Sequence, residues 1–291
     1  MRVVIVGAGL MGAQIGCEYA LGGHVVTLHA RDLDGVRARV DAAFALLAEH
    51  GLRTPEELAG AARRISTAGD PGEAAQGAEL IVESLPEELE VKASVLRRAC
   101  AGAPDAIVAT NTSSLSITAI GEAIAAPERT VGTHYLNPPL LMPTVEVIAG
   151  ERTSSTTVML VCTALTSLGK LPIVVRRDVP GFVWNRLQFA LVRECAWLVA
   201  TGVATAEDVD TVVREGLARR WRHVGPLRTI ALGGIDTWNR SARNIVAELS
   251  AVTELPDLGE IAILAGDLQA DARARDAALA RELRLPTGAS R

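Results

Sequence analysis

The sequence predicts an α/β fold: a doubly wound, mostly parallel sheet over residues 1–179, followed by an all-helical domain over residues 180–291. Three observations predict it. The chain opens on a continuous β-branched run, Arg2-Val3-Val4-Ile5-Val6, which suits a strand buried on both faces of a parallel sheet. Short apolar runs then alternate with segments of helical period, the pattern of successive strand-helix-strand units. Beyond Pro180 the apolar residues recur at helical spacing and no strand pattern is convincing.

In order, the first strand runs straight into Gly7-Ala8-Gly9-Leu10-Met11-Gly12, and a helical pattern through Ile15, Tyr19 and Ala20 stops at Gly22-Gly23. Residues 24–29 read as the second strand. This context of strand, glycine turn, helix and strand is what a Rossmann-type dinucleotide fingerprint requires. The first glycine makes the turn, the second lets backbone approach a pyrophosphate at the helix N-terminus, and the third lets helix and strand pack closely. Val36, Val40, Phe44 and Leu47 mark a helix over 33–50, and Thr54-Pro55-Glu56-Glu57 a capped helix start. Strands follow over 79–82 and 106–110. A helix is expected from Leu115, with Ser113 or Ser114 as its N-cap.

An acidic residue about 20 positions beyond the glycines normally takes the adenosine ribose 2′-hydroxyl. Here Ala30 stands in that place with Arg31 beside it, which removes repulsion against a 2′-phosphate and supplies a cation for one. These two residues tilt the expected cofactor from NAD towards NADP, against the alternative that Asp32 does the usual work. Loops after strand C-termini line the ligand crevice of such a sheet, so Glu87, Lys92, Asn111 and Ser113 are expected to face cofactor and substrate. Glu87 and Lys92 also fit an exposed helix pair.

Residues 131–148, VGTHYLNPPLLMPTVEVI, place a histidine, an asparagine and a carboxylate around a bend. The run before His134 reads as a strand, Asn137-Pro138-Pro139 turns the chain, and residues 144–148 read as a returning strand. That turn can carry Glu146 back beside His134. A carboxylate at one imidazole nitrogen fixes the tautomer and favours protonation of the other, which is what a general base for alcohol oxidation needs. Asn137 at the bend is a candidate substrate contact. On these two residues alone, a strand-ending histidine and a solvated glutamate are the simpler reading; the other segments of the chain reverse it.

Composition narrows the function classes. A length of 291 residues suits two domains, and 49% apolar content permits sizeable cores without disulfides. Net charge is −5 with the signs interspersed, which argues against nucleic acid or an anionic membrane as partner and favours a small metabolite. Cys17, Cys100, Cys162 and Cys195 have no metal-ligand spacing, so no metal is expected and a reducing cytoplasm is. Gly7, Gly9, Gly12, Gln14 and Glu18 interrupt the apolar N-terminus, so it is not read as a signal peptide; a soluble protein is expected.

Together, Ile81-Val82-Glu83 with Pro86-Glu87 and Lys92, Ala109-Thr110-Asn111-Thr112-Ser113-Ser114-Leu115, Gly132-Thr133-His134-Tyr135-Leu136-Asn137-Pro138, Val145-Glu146-Val147-Ile148 and Pro180-Gly181-Phe182-Val183-Trp184-Asn185-Arg186 resemble successive signatures of the L-3-hydroxyacyl-CoA dehydrogenase family. The resemblance runs from Arg2 to about Asp236. It implies an NAD cofactor, His134 as catalytic base, Glu146 as its partner, Ser113 and Asn185 as ligands of the reacting oxygen or of the histidine, and Glu87 and Lys92 near the nicotinamide half. It also implies that the helical domain closes the active site and forms a homodimer interface. Phe182, Leu187, Leu191 and Leu198 form a stripe that suits such burial or an internal core.

Residues 216–226, GLARRWRHVGP, are more basic than the matching loop of the fatty-acyl branch and are closer to the branch containing lambda-crystallin, L-gulonate 3-dehydrogenase and carnitine dehydrogenase. Arg220 is a candidate to pair bidentately with a substrate carboxylate, or else stacks on Trp221 or faces solvent. The expected reaction is interconversion of a 3-hydroxyacyl thioester and its 3-oxoacyl form. The alternatives are a free 3-hydroxy acid, an acyl group on a carrier protein, or a non-catalytic crystallin-like or nucleotide-sensing protein.

Overall fold

A computed structural model of the chain describes residues 1–255 and 267–284. Among them eight strands form one sheet, ordered β3-β2-β1-β4-β5-β6-β7-β8. The strands are β1 (Arg2–Val6), β2 (Val25–His29), β3 (Ile65–Ala68), β4 (Leu80–Glu83), β5 (Ile107–Thr110), β6 (Thr130–Tyr135), β7 (Thr144–Ala149) and β8 (Leu171–Val175). Strands β1 to β6 run parallel, β7 pairs antiparallel to β6, and β8 pairs parallel to β7. The helices are α1 (Leu10–Leu21), α2 (Leu33–Glu49), α3 (Pro55–Ala62), α4 (Pro71–Ala74), α5 (Leu89–Gly102), α6 (Ile117–Ala123), α7 (Ser155–Ser167), α8 (Trp184–Ala200), α9 (Ala206–Thr211), α10 (Arg219–Trp221), α11 (Pro226–Gly233), α12 (Ile235–Ile245) and α13 (Leu268–Arg284).

Alternation along β1 builds two cores. Val3 and Ile5 pack with Ile15, Tyr19, Val36 and Leu47 of α1 and α2, whereas Val4 and Val6 pack with Leu96, Ala99 and Ile120 of α5 and α6. A period of two on a parallel strand sends successive side chains to opposite helical layers, so both faces must be apolar. Thr54 forms the full capping box with Glu57 at the start of α3. The N-cap of α6 is Ser116, whose hydroxyl accepts from the Ala119 N–H at 3.2 Å, instead of Ser113 or Ser114. The helix starts two residues later than expected because 112–114 are held in a turn by Glu87.

The chain divides into two compact units, Met1–Asn185 with the described residues from Ala272 onward, and Arg186–Asp271. The first unit reaches past 179 because Val183 and Trp184 are hydrogen-bonded to Glu146 and Phe182 is buried against Ile117, Ile148 and Val175. In the second unit the described residues form helices alone. The glycine at 216 reads as a loop signal in the sequence, yet it lies in a π-helical stretch, Val212–Ala218, that joins α9 to α10 without a break. In the stripe predicted on α8, Leu187 is 65% exposed while Ala196 is the buried position. The Ala-, Arg-, Asp- and Glu-rich sequence from Ala262 predicts a C-terminal helix; α13 runs from Leu268, and residues 262–266 of that expectation lie outside the described residues. No helix among the described residues is long and apolar enough to cross a membrane.

Candidate active site

The order of strands reverses at β1, whose neighbours are β2 on one side and β4 on the other. The C-terminal ends of β1 and β4 therefore open a crevice, and the glycine turn sits in it. Gly7 adopts φ +98°, and its N–H and that of Ala8 both donate to the His29 carbonyl, at 3.1 and 2.9 Å. A Cβ on Gly7 would lie 2.6 Å from the Ser84 carbonyl oxygen, and one on Gly12 would lie 2.2 Å from the Gly7 oxygen. A Cβ on Gly9, the N-cap of α1, would meet nothing within 4 Å. Two of the glycines thus serve packing, while the third leaves open space over a helix N-terminus with no acidic residue in its first turn. That cradle fits a pyrophosphate.

Two clefts share Gly9, Ser84, Leu85 and Pro86. One, of about 670 Å³, is lined further by Leu10, Met11, Glu87, Asn111, Ser113, His134 and Asn137. The other, of about 580 Å³, is lined by His29, Ala30, Arg31, Asp32, Arg39, Val91, Val95 and Arg98 among others. Joined at the glycine turn, they form the two arms that a dinucleotide needs.

His134 and Glu146 stand directly opposite each other in the antiparallel register of β6 and β7. Opposed residues share a sheet face, and here the imidazole Nδ1 lies 2.7 Å from Glu146 Oε2. Glu146 Oε1 accepts the backbone N–H groups of Val183 and Trp184, both at 2.9 Å. Burial pushes the Glu146 carboxyl up, but the hydrogen bonds from His134, Trp184 and Val183 outweigh it and hold the group below the usual carboxylate range. An ionised carboxylate only accepts, so Nδ1 carries the proton and Nε2 keeps its lone pair. Nε2 has no hydrogen-bond partner among the described residues, and the ring lines the larger cleft, its centroid 5.6 Å from that of the buried Phe182 in an edge-on arrangement.

A second network underlies the cleft. Lys92, fully buried, donates to Glu83 Oε1 at 2.7 Å and to the Leu85 carbonyl at 3.1 Å, and sits 3.3 Å from Glu87. Burial pushes the Glu83 carboxyl up against the opposing pull of Lys92. Glu87 Oε1 accepts from the Thr112 hydroxyl, from the Ser113 and Ser114 N–H groups and from the Ser114 hydroxyl, at 2.6 to 3.0 Å. These bonds and Lys92 outweigh desolvation and bring its pKa down to about 2. Asn111 accepts from the Tyr135 N–H at 2.9 Å and donates to Ser84 at 3.3 Å, tying the ends of three strands. Asn185 donates to the Ser113 carbonyl at 3.1 Å.

Residues 2–179 match the model of the 3-hydroxyacyl-CoA dehydrogenase NAD binding domain, and residues 181–275 that of the C-terminal domain. The chain belongs to the 3-hydroxyacyl-CoA dehydrogenase family. As a member it is an oxidoreductase with a Rossmann-type NAD(P)-binding domain. Within the family it is 37% identical over 254 residues to a 5-formyl-3-hydroxy-2-methylpyridine 4-carboxylate 5-dehydrogenase of Mesorhizobium japonicum, spanning 86% of this chain and 81% of that one. It is 34% identical over 284 residues to an L-carnitine dehydrogenase of Streptomyces coelicolor, spanning 94% and 88%. A solved structure of an enzyme of the first activity, described as an NAD+-dependent dismutase, matches with TM-score 0.87 and 31% identity over 99% of each chain.

The structure gathers most of the predicted residues around the joined clefts: Gly7, Gly9, Leu10, Met11, Ala30, Arg31, Glu87, Asn111, Ser113, His134 and Asn137 all line one or the other. Gly12 lies beneath the turn it packs against. Lys92 has no exposed surface and touches the cleft wall from behind, through Glu87 and the Leu85 carbonyl. Asn185 touches the Ser113 backbone, and Glu146 touches the cleft through His134. Arg220 lies exposed on α10 in the second unit. Sequence reasoning passed over Arg39, Arg98, Ser84 and Thr112; of these, Arg39 and Arg98 sit on helices amid other arginines, and nothing local distinguishes them.

Proposed function

We propose that the chain interconverts a secondary alcohol and its ketone on a small hydroxy acid, with His134 as general base and acid and Glu146 as its orienting partner. The observation that carries this is the His134–Glu146 pair, whose free Nε2 faces the cleft that continues into the glycine turn. A bound nicotinamide dinucleotide supplies the hydride acceptor or donor. Gly9 and the N-terminus of α1 would hold its pyrophosphate, and Leu10 and Met11 would flank it. His134 receives the hydroxyl proton on Nε2 as the carbon–hydrogen bond breaks, and returns it in reduction. Glu146 balances the charge that His134 gains. Ser113 and Asn137 orient the substrate oxygen and chain from the cleft wall. Asn185 acts on Ser113 through its backbone, and Lys92 acts through Glu87, which fixes the turn carrying Ser113.

A free carboxylate on the substrate is supported by the carnitine and pyridine carboxylate enzymes among the relatives. Arg220 is the residue we assign to reading it, on its fork of donors and its place in the basic segment before Gly225-Pro226. A 3-hydroxyacyl thioester is the second reading, favoured by the family match over both domains. The exposed Leu187, Leu227, Leu232 and Ile235 of the second unit support a homodimer, which light scattering would detect.

The test is a panel of L-carnitine, 3-hydroxybutyrate and 3-hydroxybutyryl-CoA with both dinucleotides, on the full chain and on His134→Ala. A free acid should turn over best. His134→Ala should lose about 10²- to 10⁴-fold in kcat while dinucleotide affinity is kept. Weakened dinucleotide binding with kcat preserved would remove the assignment, turnover of the thioester alone would select the second reading, and an unchanged KM for the free acid in Arg220→Ala would release Arg220.

A further inference from the structure

The smaller cleft carries a charge pattern that the reaction does not use. Its floor is apolar, with Leu85, Val91 and Val95, while one end gathers Arg31, Arg39 and Arg98. Strand β2 ends at His29, paired with Val6, so Ala30 is the first residue beyond it. A carboxylate there would accept from ribose hydroxyls and repel a phosphate, and the Ala30 methyl does neither.

The next carboxylate along the chain is already engaged. Asp32 Oδ1 caps α2, accepting from the Gly35 N–H at 2.9 Å, and Oδ2 lies 3.8 Å from Arg39. Asp70, beside the same end, caps α4 and is paired with Arg98. Three arginines thus face two carboxylates, each with a partner. Arg31 is exposed and has no hydrogen-bond or ion-pair partner among the described residues. Arg39 is anchored: its Nη1 donates to the Ala8 carbonyl in the glycine turn at 3.2 Å, which leaves donors of the same fork unused beside the place where the dinucleotide backbone must pass.

We propose that Arg31 and Arg39 hold a phosphate monoester on the adenosine ribose, so that the chain selects NADP(H) over NAD(H). The selection rests on dinucleotide binding at the glycine turn and adds a specificity role to Arg39. An exposed cation just past the strand end and a second one fixed to the glycine turn line the same cleft, and an anion there would receive charge-assisted hydrogen bonds from both.

The test is direct binding to the full chain, by dinucleotide fluorescence and calorimetry, with no substrate present. NADPH should bind about 10- to 100-fold more tightly than NADH, the fold-change expected of one or two charge-assisted hydrogen bonds. Adenosine 2′,5′-bisphosphate should likewise bind more tightly than 5′-AMP, a comparison that needs no variant. Arg31→Ala and Arg39→Ala should each lower that preference about tenfold, Arg39→Lys should lower it less, and Ala30→Asp should invert it. Added salt should shrink it, because the selecting charges are partly exposed. Equal or tighter binding of NADH would overturn the proposal. So would a preference for NADPH that survives both arginine substitutions. Failure of both dinucleotides to bind would overturn the cofactor site itself, and the selection with it.

Discussion

Replacing Glu146 by glutamine keeps the shape of the side chain and removes its charge. The carboxylate receives three hydrogen bonds, from His134 at 2.7 Å and from Val183 and Trp184 at 2.9 Å. Glutamine has one oxygen for these two directions. With that oxygen towards His134, the NH₂ group confronts two backbone donors; turned round, it confronts Nδ1 and forces the imidazole proton onto Nε2, the nitrogen that the proposed reaction needs free to accept the substrate proton. The electrostatic loss is set by distance. Charge centres of a carboxylate and an imidazolium in this contact lie about 4 Å apart, worth about 4 kcal/mol at the effective dielectric of about 20 that suits protein sites, buried ones included. Neutral imidazole gains little of this, so roughly half to all of it is specific to the protonated state. We expect a barrier increase of about 2 to 4 kcal/mol, or a kcat about 30- to 1,000-fold lower. Steady-state turnover of the best substrate in the panel gives kcat, and dinucleotide titration should show affinity within about twofold of the parent. Glu146→Gln combined with His134→Ala should be little worse than His134→Ala alone, because the carboxylate acts through the imidazole. A kcat within about threefold of the parent, or additive losses in the double variant, would refute the coupling.

Three further expectations follow from the same geometry. Gly9→Ala should fold with an unchanged melting temperature and bind dinucleotide at least about tenfold more weakly, whereas Gly12→Ala should lose about 1 to 3 kcal/mol of stability, since its Cβ meets the Gly7 oxygen at 2.2 Å; equal melting temperatures would contradict the division of labour. Lys170, buried, donates to the Pro139 and Met142 carbonyls and pairs with Glu18 at 2.6 Å, so Lys170→Met should cost about 3 to 5 kcal/mol by chemical denaturation, and adding Glu18→Leu should recover a large part of it. Additive losses would show that the ion pair is not what holds the 137–143 loop. The Glu87 carboxyl goes from an ordinary 4.5 to about 2, so its contribution is complete above pH 4.5 and is lost as pH falls towards 2; in urea midpoints against pH, Glu87→Gln should differ from the parent by a constant amount above that window and converge with it inside.

The elements that sequence periodicity revealed are those whose side chains alternate between two apolar environments. β1, β4 and β5 are buried on both faces and read as short apolar runs, β2 is buried from Val26 apart from a half-buried Thr27, and α2 shows its buried stripe at Val36, Val40 and Leu47. β3 and β8 escaped. Ile65–Ala68 is an edge strand with two exposed positions in four, and Leu171–Val175 contains a proline and exposes Ile173 and Val174, so neither carries the signature of a central strand. At the site, chemistry in a local motif was legible: the glycine spacing, and a histidine and glutamate flanking a proline turn. What joins distant segments was not. That Glu87 would spend its oxygen on residues 112–114, 25 to 27 positions away, that Lys92 would be sealed under it, or that Arg39 would reach back to Ala8 depends on packing between helices and strands that no local spacing encodes. The α6 cap moved for the same reason: a turn claimed by a distant carboxylate cannot also begin a helix.

The sheet changes direction between β6 and β7, and the change is what lets two residues twelve positions apart meet. Parallel neighbours need a crossover of a dozen or more residues, so along β1 to β6 close partners in space are distant in sequence. The reversal from β6 to β7 replaces the crossover by a loop, and the register then sets His134 against Glu146 and Gly132 against Ile148 on one face. The absence of a side chain at Gly132 is required there, since a Cβ would sit 2.7 Å from Ile117 and 3.0 Å from Ile148. Those isoleucines, with Val175 of β8, receive Phe182, and Phe182 leads directly into the two N–H groups that fill the second carboxylate oxygen of Glu146. A slip of one residue in β7 would turn Glu146 to the face opposite His134 and drive Ile148 from its contact with Phe182. The apolar packing of β6, β7 and β8 therefore enforces the register on which the imidazole and carboxylate depend, and the dyad's precision comes from the core beneath it as much as from the hydrogen bond between its members.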